Sequence, residues 1–361
     1  MAKTIAVIGG GLAGRLCAWQ LAQAGWRVSL FDRGGREGGE AAAYIAAAML
    51  APLAEAIDAT PLVTALGRQS VARWRRLLEQ LPEQVFLQQA GSLVVWHAQD
   101  KPLAHQFEQQ LSRAWGGDCP AQWWQAEQLA SEEPQLAGRF QTGLYLPDEG
   151  QLENRQVLSA LGAALEREKV DCRWHSEVSP QQLAGQFDWL LDCRGFGAKT
   201  DWNAAQGSRL RGVRGEVARV YAPEVSLRRP VRLLHPRYPL YIAPKPDHRF
   251  VIGATQLESE SGAPASVRSG LELLSALYAV HPAFGEAQIL ELSSGLRPTL
   301  NHHDPEIRFN RQSRMVEVNG LFRHGFMISP AVSEIAVQLI QALANDAPLP
   351  EDEAGLIRRQ E

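Results

Sequence analysis

The stretch Ile5-Ala6-Val7-Ile8-Gly9-Gly10-Gly11-Leu12-Ala13-Gly14 decides the fold of this chain. Its apolar half predicts a buried strand, and its glycines fit the spacing G-x-G-x-x-G at a turn from a strand into a helix. The first glycine permits the tight turn, the second lets the backbone approach a pyrophosphate, and the third lets helix and strand pack closely. The predicted helix, residues 12–24, points its free N–H groups at the phosphates. We therefore predict a dinucleotide bound by Gly9, Gly11, Leu12, Ala13 and Gly14.

A second apolar run, Val28-Ser29-Leu30-Phe31, ends at Asp32. At this place in the motif a carboxylate can accept hydrogen bonds from the ribose of an adenosine. Such a carboxylate argues mildly against a 2′-phosphate, although Arg33, which we also assign to the cofactor, softens that argument. Strand, glycines, helix, second strand and acidic residue occur in register, which an ordinary glycine turn does not require. The motif alone does not separate FAD from NAD.

The composition is that of a globular protein with two closely joined domains. The chain has 361 residues, of which 45% are hydrophobic and 21% are charged, and its net charge is −4. A chain of this length exceeds one small core, and its acidic balance gives no nucleic-acid footprint. The basic residues are 31 arginines and 5 lysines. No arginine can therefore be assigned a function without local context.

The cysteines and the apolar runs predict a reduced, cytoplasmic protein without a membrane span. Cys17, Cys119, Cys172 and Cys193 are scattered and form no C-x-x-C pair, so a disulfide framework or zinc site is not expected. The first strand begins within a few residues of Met1, which leaves no room for a signal peptide. No run reaches the roughly 18 apolar residues that a membrane span needs.

The order of elements predicts a mixed α/β fold. A Rossmann-type start, a later apolar strand ending in Asp192-Cys193-Arg194-Gly195 and a final helix form one discontinuous domain, residues 1–80, 147–210 and 296–361. Alternating strands predict a second domain on a large antiparallel sheet, residues 81–146 and 211–295. Simple NAD dehydrogenases usually keep their cofactor domain contiguous, so this organisation favours a flavoprotein by fold analogy.

Several local predictions concern segments near the expected site. Residues 46–55, 61–81 and 123–129 are predicted as helices, and residues 314–327 as strand–turn–strand. Ser329 is a good N-cap and Pro330 a good first helical residue, which predicts a last helix over residues 330–343. The positive N-terminus of that helix would stabilise a reduced flavin anion.

Polar residues of the second half of the chain provide candidate substrate and metal ligands. Arg297 follows an apolar strand in Ser294-Gly295-Leu296-Arg297-Pro298, where a turn held by glycine and proline would fix a guanidinium that matches a carboxylate. Tyr238 or Tyr241 could close over a small substrate. Asn301-His302-His303-Asp304 could suggest a metal site, but adjacent side chains diverge and no third cluster lies near, so no metal is predicted.

With these segments in hand, nearly the whole chain resembles the FAD-dependent D-amino-acid oxidase superfamily, and within it glycine oxidases. The resemblance rests on segments in a fixed order: Gly9–Gly14, Ala46-Ala47-Ala48-Met49-Leu50-Ala51-Pro52, Leu146-Pro147-Asp148-Glu149-Gly150-Gln151-Leu152-Glu153-Asn154-Arg155, Tyr241-Ile242-Ala243-Pro244, Val251-Ile252-Gly253-Ala254-Thr255, Gly295-Leu296-Arg297-Pro298 and Phe322-Arg323-His324-Gly325. Two segments depart from the family pattern. Ala48 stands where a glycine is usual, and Asp304-Pro305-Glu306-Ile307-Arg308 replaces the usual Asp-x-x-Pro-x-Ile-Gly.

The resemblance implies roles for individual residues. Arg297 would bind the substrate carboxylate, with Arg323 beside it, and Tyr241 and Met49 would line the substrate pocket. Val178 would approach the adenine end of a non-covalent FAD. The isoalloxazine and its edge would be contacted by Ala47, Ala48, Met49, Leu321, Phe322, Arg323, His324, Gly325, Phe326 and Met327.

The implied reaction is the oxidation of glycine, sarcosine or a small D-amino acid to the imine, with O₂ reduced to H₂O₂. Iminoacetate from glycine would hydrolyse to glyoxylate or feed synthesis of the thiamine thiazole, which would make thiazole-synthesis enzymes partners. The family also leaves a homo-oligomer open. Three alternatives remain: a dehydrogenase on the same fold, the flavin domain of a tRNA-modifying enzyme, which the acidic balance disfavours, and a non-catalytic flavoprotein scaffold.

Overall fold

The computed structural model of the protein describes residues 2–235, 240–352 and 355–360. Tyr238, one of the two candidate pocket tyrosines, lies outside them. The strands of the described residues are β1 (Thr4–Ile8), β2 (Arg27–Phe31), β3 (Met49–Leu50), β4 (Leu87–Gln88), β5 (Ser92–Val95), β6 (Gln122–Gln125), β7 (Thr142–Leu146), β8 (Gly150–Leu152), β9 (Asp171–Arg173), β10 (Trp189–Asp192), β11 (Leu210–Tyr221), β12 (Val231–Leu233), β13 (Leu240–Lys245), β14 (Arg249–Gly253), β15 (Gln288–Leu300), β16 (Glu306–Asn310), β17 (Met315–Asn319) and β18 (Ile357–Arg359).

The α-helices connect these strands and cover the sheets. In chain order they are α1 (Leu12–Gln23), α2 (Ala42–Ile45), α3 (Pro52–Glu55), α4 (Pro61–Gly67), α5 (Ser70–Leu78), α6 (Lys101–Trp115), α7 (Ala126–Glu132), α8 (Asn154–Arg167), α9 (Pro180–Leu183), α10 (Lys199–Ala204), α11 (Val267–Val280) and α12 (Gly325–Ala344).

The first sheet is the predicted Rossmann-type sheet, with the order β18-β16-β17-β10-β1-β2-β9. Strands β9, β2, β1, β10 and β17 are parallel neighbours, and β16 runs antiparallel to β17. Alternate residues of β1 face opposite sides of a sheet. Ile5 and Val7 join a core that includes apolar residues of α1, α8 and α12, and Ala6 joins a smaller core on the other face.

The second sheet has eight strands in the order β15-β11-β14-β13-β12-β5-β7-β6. All its pairings are antiparallel except that of β5 with β12. The longest pairing, β11 with β15, runs from Leu210 opposite Leu300 to Tyr221 opposite Gln288. A small third sheet, β3-β8-β4, is also present. The mixed α/β fold with a large antiparallel sheet was therefore predicted correctly; the domain boundaries stay a prediction.

Four local predictions differ from the structure, and in the three helical ones tertiary contacts break or shift the helix that periodicity predicts. Residues 46–55 are not one helix: Ala48 has φ +53°, Met49 pairs with Gln151, and α3 follows separately. Residues 61–81 split into α4 and α5. Of the predicted helix 123–129, residues 126–129 lie in α7, but Gln122–Gln125 form strand β6, in which the Trp124 and Tyr145 rings stack with centroids 4.3 Å apart. Residues 314–327 are strand β17 followed by a short 3₁₀ turn, Phe322–His324, and the start of α12.

Helix α12 begins five residues earlier than the serine–proline pair predicts. Its N-cap is His324, and Pro330 lies inside the helix. A proline there lacks the N–H that would bond the carbonyl four residues before it. The indole Nε1 of Trp74 donates to that carbonyl, Phe326 O, at 2.7 Å. Ser329 Oγ donates to Gly325 O at 2.5 Å instead of capping the helix. The proline is tolerated because a side chain from α5 replaces the missing donor.

The segment Phe322–Ala344 is long and apolar enough to cross a membrane by length and composition, and it was not predicted as a span. Within it, 78% of the most apolar window is buried inside the protein. It packs against α1, α4 and α5, as the core helix of a globular domain does.

Candidate active site

A cavity of about 1590 Å³ is lined by residues from both large sheets. Pockets for one drug-sized ligand are roughly 300–1,000 Å³. The cavity therefore has room for a large cofactor together with a small substrate.

The cavity brings together nearly all the residues that the sequence assigned to the cofactor and substrate. Those that line it are Gly9, Gly11, Leu12, Ala13, Asp32, Arg33, Ala47, Ala48, Met49, Val178, Tyr241, Arg297, Leu321, Phe322, Arg323, His324, Gly325, Phe326 and Met327. Gly14 does not line it. A Cβ on Gly14 would lie 1.8 Å from Gly9 O, so this glycine permits the close contact of α1 with β1.

The N-terminus of α1 is built to receive an anion. Gly9 has φ +102°, a conformation that favours glycine, and turns the chain from β1 towards α1. The N-cap Gly11 offers no side-chain hydrogen bond to the first turn. The first N–H groups of α1 therefore remain available to phosphate oxygens, as the motif predicts.

The carboxylate of Asp32 is fixed at the cavity wall by backbone donors. Gly34 N donates to Oδ1 at 2.7 Å, and Gly10 N donates to Oδ2. The adjacent Arg33 pairs with Glu40 at 3.0 Å. Asp32 thus keeps lone pairs for a ribose hydroxyl, while the charge of Arg33 is already matched.

The segment Ala46–Met49 is anchored from the second sheet. The buried ammonium of Lys245 donates to Ala47 O at 2.8 Å, to Gln151 Oε1 at 3.0 Å and to Leu152 O at 2.5 Å. Burial lowers the pKa of Lys245 to about 7. Sequence reasoning missed this lysine, which holds the backbone of Ala47 at the cavity wall.

The start of α12 faces the same cavity. Residues 321–327 all line it, and the first helical turn begins at Gly325. The predicted helix N-terminus near the flavin therefore lies one turn before Pro330. Its partial positive charge is suited to an anionic ring edge.

Arg297 reaches the cavity from within a strand rather than from the predicted turn. It lies in β15 opposite Val213 of β11. Its guanidinium lies over Gly215, where a Cβ would be only 2.3 Å from Nη2. Nη1 donates to Thr255 O at 3.1 Å, and among the ion pairs of the described residues none includes Arg297. Burial lowers its pKa. The guanidinium is a half-buried cation that forms no ion pair with a carboxylate of the described residues.

Tyr241 stands beside this arginine on β13. Its phenol lies over Gly253, where a Cβ would be 2.8 Å from the hydroxyl oxygen. Burial raises the pKa of Tyr241 and the charge of Arg297 opposes that rise. Tyr241 is therefore a neutral hydrogen-bond donor near the Arg297 guanidinium.

Arg323 belongs to a cluster of charged groups in the cavity wall. Its Nη2 lies 2.9 Å from Glu55 Oε2 and 2.9 Å from Asp58 Oδ2. The other oxygen of Glu55 accepts from Arg232 Nη2 at 2.8 Å. Burial opposes ionisation of Glu55, yet Arg323 and Arg232 hold its pKa well below the usual range. Burial lowers the pKa of His324 to about 4, so this imidazole is neutral near pH 7.

Sequence reasoning missed Glu55 and Arg232. The available signal for Glu55 was a charge at the end of the apolar segment 46–54. No sequence signal pointed to Arg232, because arginines are frequent in this chain and its partner Glu55 is 177 residues away.

No metal was predicted at the segment Asn301–Asp304. In this segment His302 Nε2 lies 3.1 Å from Glu306 Oε2. Across residues 2–235, 240–352 and 355–360, no group of three or more His, Cys, Asp or Glu could hold a metal ion. Cys17, Cys119, Cys172 and Cys193 are free thiols.

The residues of this cavity fit FAD. Gly11 leaves the α1 N-terminus uncapped by a side chain, Asp32 is held at the wall, and the α12 N-terminus opens on the same cavity. Together they would hold the pyrophosphate, the ribose and the flavin edge.

Comparison with known proteins gives a consistent result. A protein-family model described as FAD dependent oxidoreductase (DAO) matches residues 4–339. The chain is 41% identical over 344 residues to a candidate thiamine biosynthesis oxidoreductase, ThiO, of Rhizobium etli, covering 93% of this chain and 96% of that one.

Two further relatives are more distant. Glycine oxidase of Geobacillus kaustophilus is 27% identical over 355 residues, covering 93% of this chain and 92% of that one. A crystal structure of glycine oxidase from that organism matches the fold with a TM-score of 0.81 at 22% identity, covering 99% of this chain and 98% of that one. The bifunctional protein ThiO/ThiG of Synechocystis is 26% identical over 93% of this chain and 51% of its own length.

Proposed function

Because the chain belongs to the DAO family of FAD dependent oxidoreductases, we propose that it oxidises glycine, and small amines such as sarcosine or D-alanine, to the imine. O₂ would accept the electrons and H₂O₂ would be released. The comparisons make the chain an FAD-dependent oxidoreductase of the glycine oxidase and ThiO type; we propose its substrate and its electron acceptor.

The observation that carries the proposal is the half-buried guanidinium of Arg297, which lies over Gly215 at the cavity wall. It has one carbonyl partner, Thr255 O, and no ion-pair partner among the described residues. An arginine fork of this kind matches the two oxygens of a carboxylate. We therefore assign Arg297 to the substrate carboxylate and the neighbouring Tyr241 hydroxyl to a second hydrogen bond.

FAD, when bound, accepts two electrons from the substrate. The residues of the chain then have to position the reacting carbon and exclude water. Arg297 fixes the carboxylate end of the substrate, and Met49 and Tyr241 cover it. The α12 N-terminus at Gly325 and the guanidinium of Arg323 supply positive charge on the cofactor side. No side-chain base is required, because a neutral amine drives imine formation itself.

The shape of the site supports small substrates. Met49 and Tyr241 belong to one apolar cluster with Ala47, Val217 and Val251. Long or branched side chains on the substrate would meet these walls. We expect glycine, sarcosine and D-alanine to react faster than D-phenylalanine.

The proposal extends to a place in thiamine synthesis. The name of the Rhizobium etli relative and the ThiO/ThiG fusion support a product, iminoacetate, that is passed to a thiazole-forming partner. We propose a cytoplasmic location for this reaction and leave a homo-oligomer as an expectation to be measured.

The test combines three measurements on the FAD-loaded protein with glycine: O₂ uptake, H₂O₂ and glyoxylate. The expected result is equal molar amounts of all three. Glyoxylate formed only with an artificial acceptor identifies a dehydrogenase and refutes the oxidase. A protein that purifies with FAD but reacts with none of the amines is a non-catalytic flavoprotein. Acid precipitation should release the FAD, since we expect it to be non-covalent; colour kept in the pellet contradicts that.

A further inference from the structure

Five arginines line the cavity, and Glu55 bridges two of them, Arg232 and Arg323, while a third, Arg297, forms no ion pair among the described residues. Glu55 Oε2 lies 2.9 Å from Arg323 Nη2, and Glu55 Oε1 lies 2.8 Å from Arg232 Nη2. Arg297 has no such partner in the described part of the chain. All four side chains line the same cavity. Glu55 therefore engages two of these three cations, and one cation is left for a ligand.

The second carboxylate on Arg323 is of a different kind. Asp58 Oδ2 is also 2.9 Å from Arg323 Nη2, but 66% of the Asp58 side chain is exposed against 16% for Glu55. Water and salt screen an exposed charge much more than a buried one. The charge of Glu55 is therefore screened less than that of Asp58 and acts more strongly on a ligand beside Arg323.

The two engaged arginines keep hydrogen-bonding capacity. Nε of Arg232 and Nε of Arg323 are buried without an acceptor among the described residues. If the charge of Glu55 were absent, these guanidinium groups could take a second anionic group of a ligand. With Glu55 present, that group would meet a fixed negative charge, and like charges at close range cost several kcal/mol.

We propose that Glu55 is a specificity-determining residue that restricts the site to substrates with one carboxylate, by occupying Arg232 and Arg323 and leaving Arg297 free. This inference rests on the proposed function for the role of Arg297. We expect the site to bind amines with a single carboxylate and to exclude aminodicarboxylates.

The test measures binding and needs no turnover. Malonate carries two carboxylates, and malonamate has the same size with one carboxylate and one neutral amide. Isothermal titration calorimetry of the FAD-loaded protein above neutral pH gives Kd for each. In the wild-type protein malonamate should bind at least as tightly as malonate.

Glu55→Gln should lower the ratio of Kd for malonate to Kd for malonamate at least tenfold, because the buried like charge is gone. Asp58→Asn is the matched control and should lower the ratio less than threefold, since its charge is screened. A ratio of the two Kd values in Glu55→Gln that stays within twofold of the wild-type ratio overturns the proposal. Wild-type protein that binds malonate tenfold more tightly than malonamate also overturns it.

If Glu55→Gln does not hold FAD, Arg323→Gln provides the opposite change. It leaves Glu55 with one guanidinium partner, so the ratio should rise at least fivefold; no rise overturns the proposal. These outcomes are separable from the proposed function. Failure of glycine oxidation leaves the malonate series readable, and an unchanged ratio leaves wild-type glycine oxidation intact.

Discussion

Replacing Arg297 by alanine removes the unmatched cation on which substrate binding is proposed to depend. In the native protein the half-buried Arg297 guanidinium lies over Gly215, and among the described residues it donates to Thr255 O. A carboxylate that binds there gains a charge-assisted, two-pronged contact in a water-poor site. The loss of such a contact costs about 2–4 kcal/mol. The apparent affinity for glycine should therefore fall roughly 30- to 1,000-fold.

The assay is anaerobic reduction of the bound FAD at increasing glycine concentration, with the FAD content of each preparation measured. Arg268→Ala is the matched control, because the Arg268 side chain is 72% exposed and its Nε lies as far as 4.0 Å from Glu272 Oε1. That control should behave as wild type. FAD content should be equal in all three proteins. An apparent glycine affinity in Arg297→Ala within threefold of wild type refutes the assignment of Arg297 to the carboxylate.

Three further predictions concern the scaffold of the site. Trp74→Phe removes the donor to Phe326 O and should lower the free energy of unfolding, measured with urea, by about 1–3 kcal/mol. In a Pro330→Ala background, which restores a backbone N–H, the same Trp74→Phe change should cost about 1 kcal/mol less. An equal cost in both backgrounds would contradict the role of Trp74 in α12. Ala48→Gly relieves the left-handed φ of +53° and should raise the stability by up to about 1 kcal/mol in the same assay, whereas a clear loss would show that Ala48 is not strained. Burial raises the pKa of Glu149 from 4.5 to about 7, so the folded chain keeps a proton that the unfolded chain releases. The resulting contribution to the free energy of unfolding is fully present below pH 4.5 and is lost as the pH rises through 7. Glu149→Gln should flatten this decline in the free energy of unfolding, measured with urea between pH 4.5 and 7. An unchanged slope in Glu149→Gln would assign the decline to other groups.

The glycines and the aspartate at the α1 end of the cavity could be named from the sequence because their determinants are local. Gly9, Gly11 and Asp32 act through a turn, a helix start and the end of the next strand, all within one short segment. Arg297 and Tyr241 could also be named, since family-like segments surround them. The surroundings that position Arg297 could not be predicted. Arg297 lies within β15 rather than at a turn, and the absence of a side chain at Gly215 on the facing strand leaves room for its guanidinium.

The charged cluster and the start of α12 could not be predicted because they depend on distant partners. Glu55 and Arg232 meet across 177 residues, and Trp74 and Phe326 across 252. In sequence, Ser329-Pro330 has the composition of a helix start. Only the indole of Trp74, brought in by α5, lets the helix begin at Gly325 with a proline inside it.

We propose above all that a substrate carboxylate held by Arg297 places an amine for oxidation by FAD. The most direct measurement compares glycine with methylamine, which has the same amine but no carboxylate, in anaerobic stopped-flow reduction of the wild-type holoenzyme. We expect rapid reduction of the FAD by glycine and very slow reduction by methylamine at the same concentration. Reduction by methylamine as fast as by glycine would contradict it.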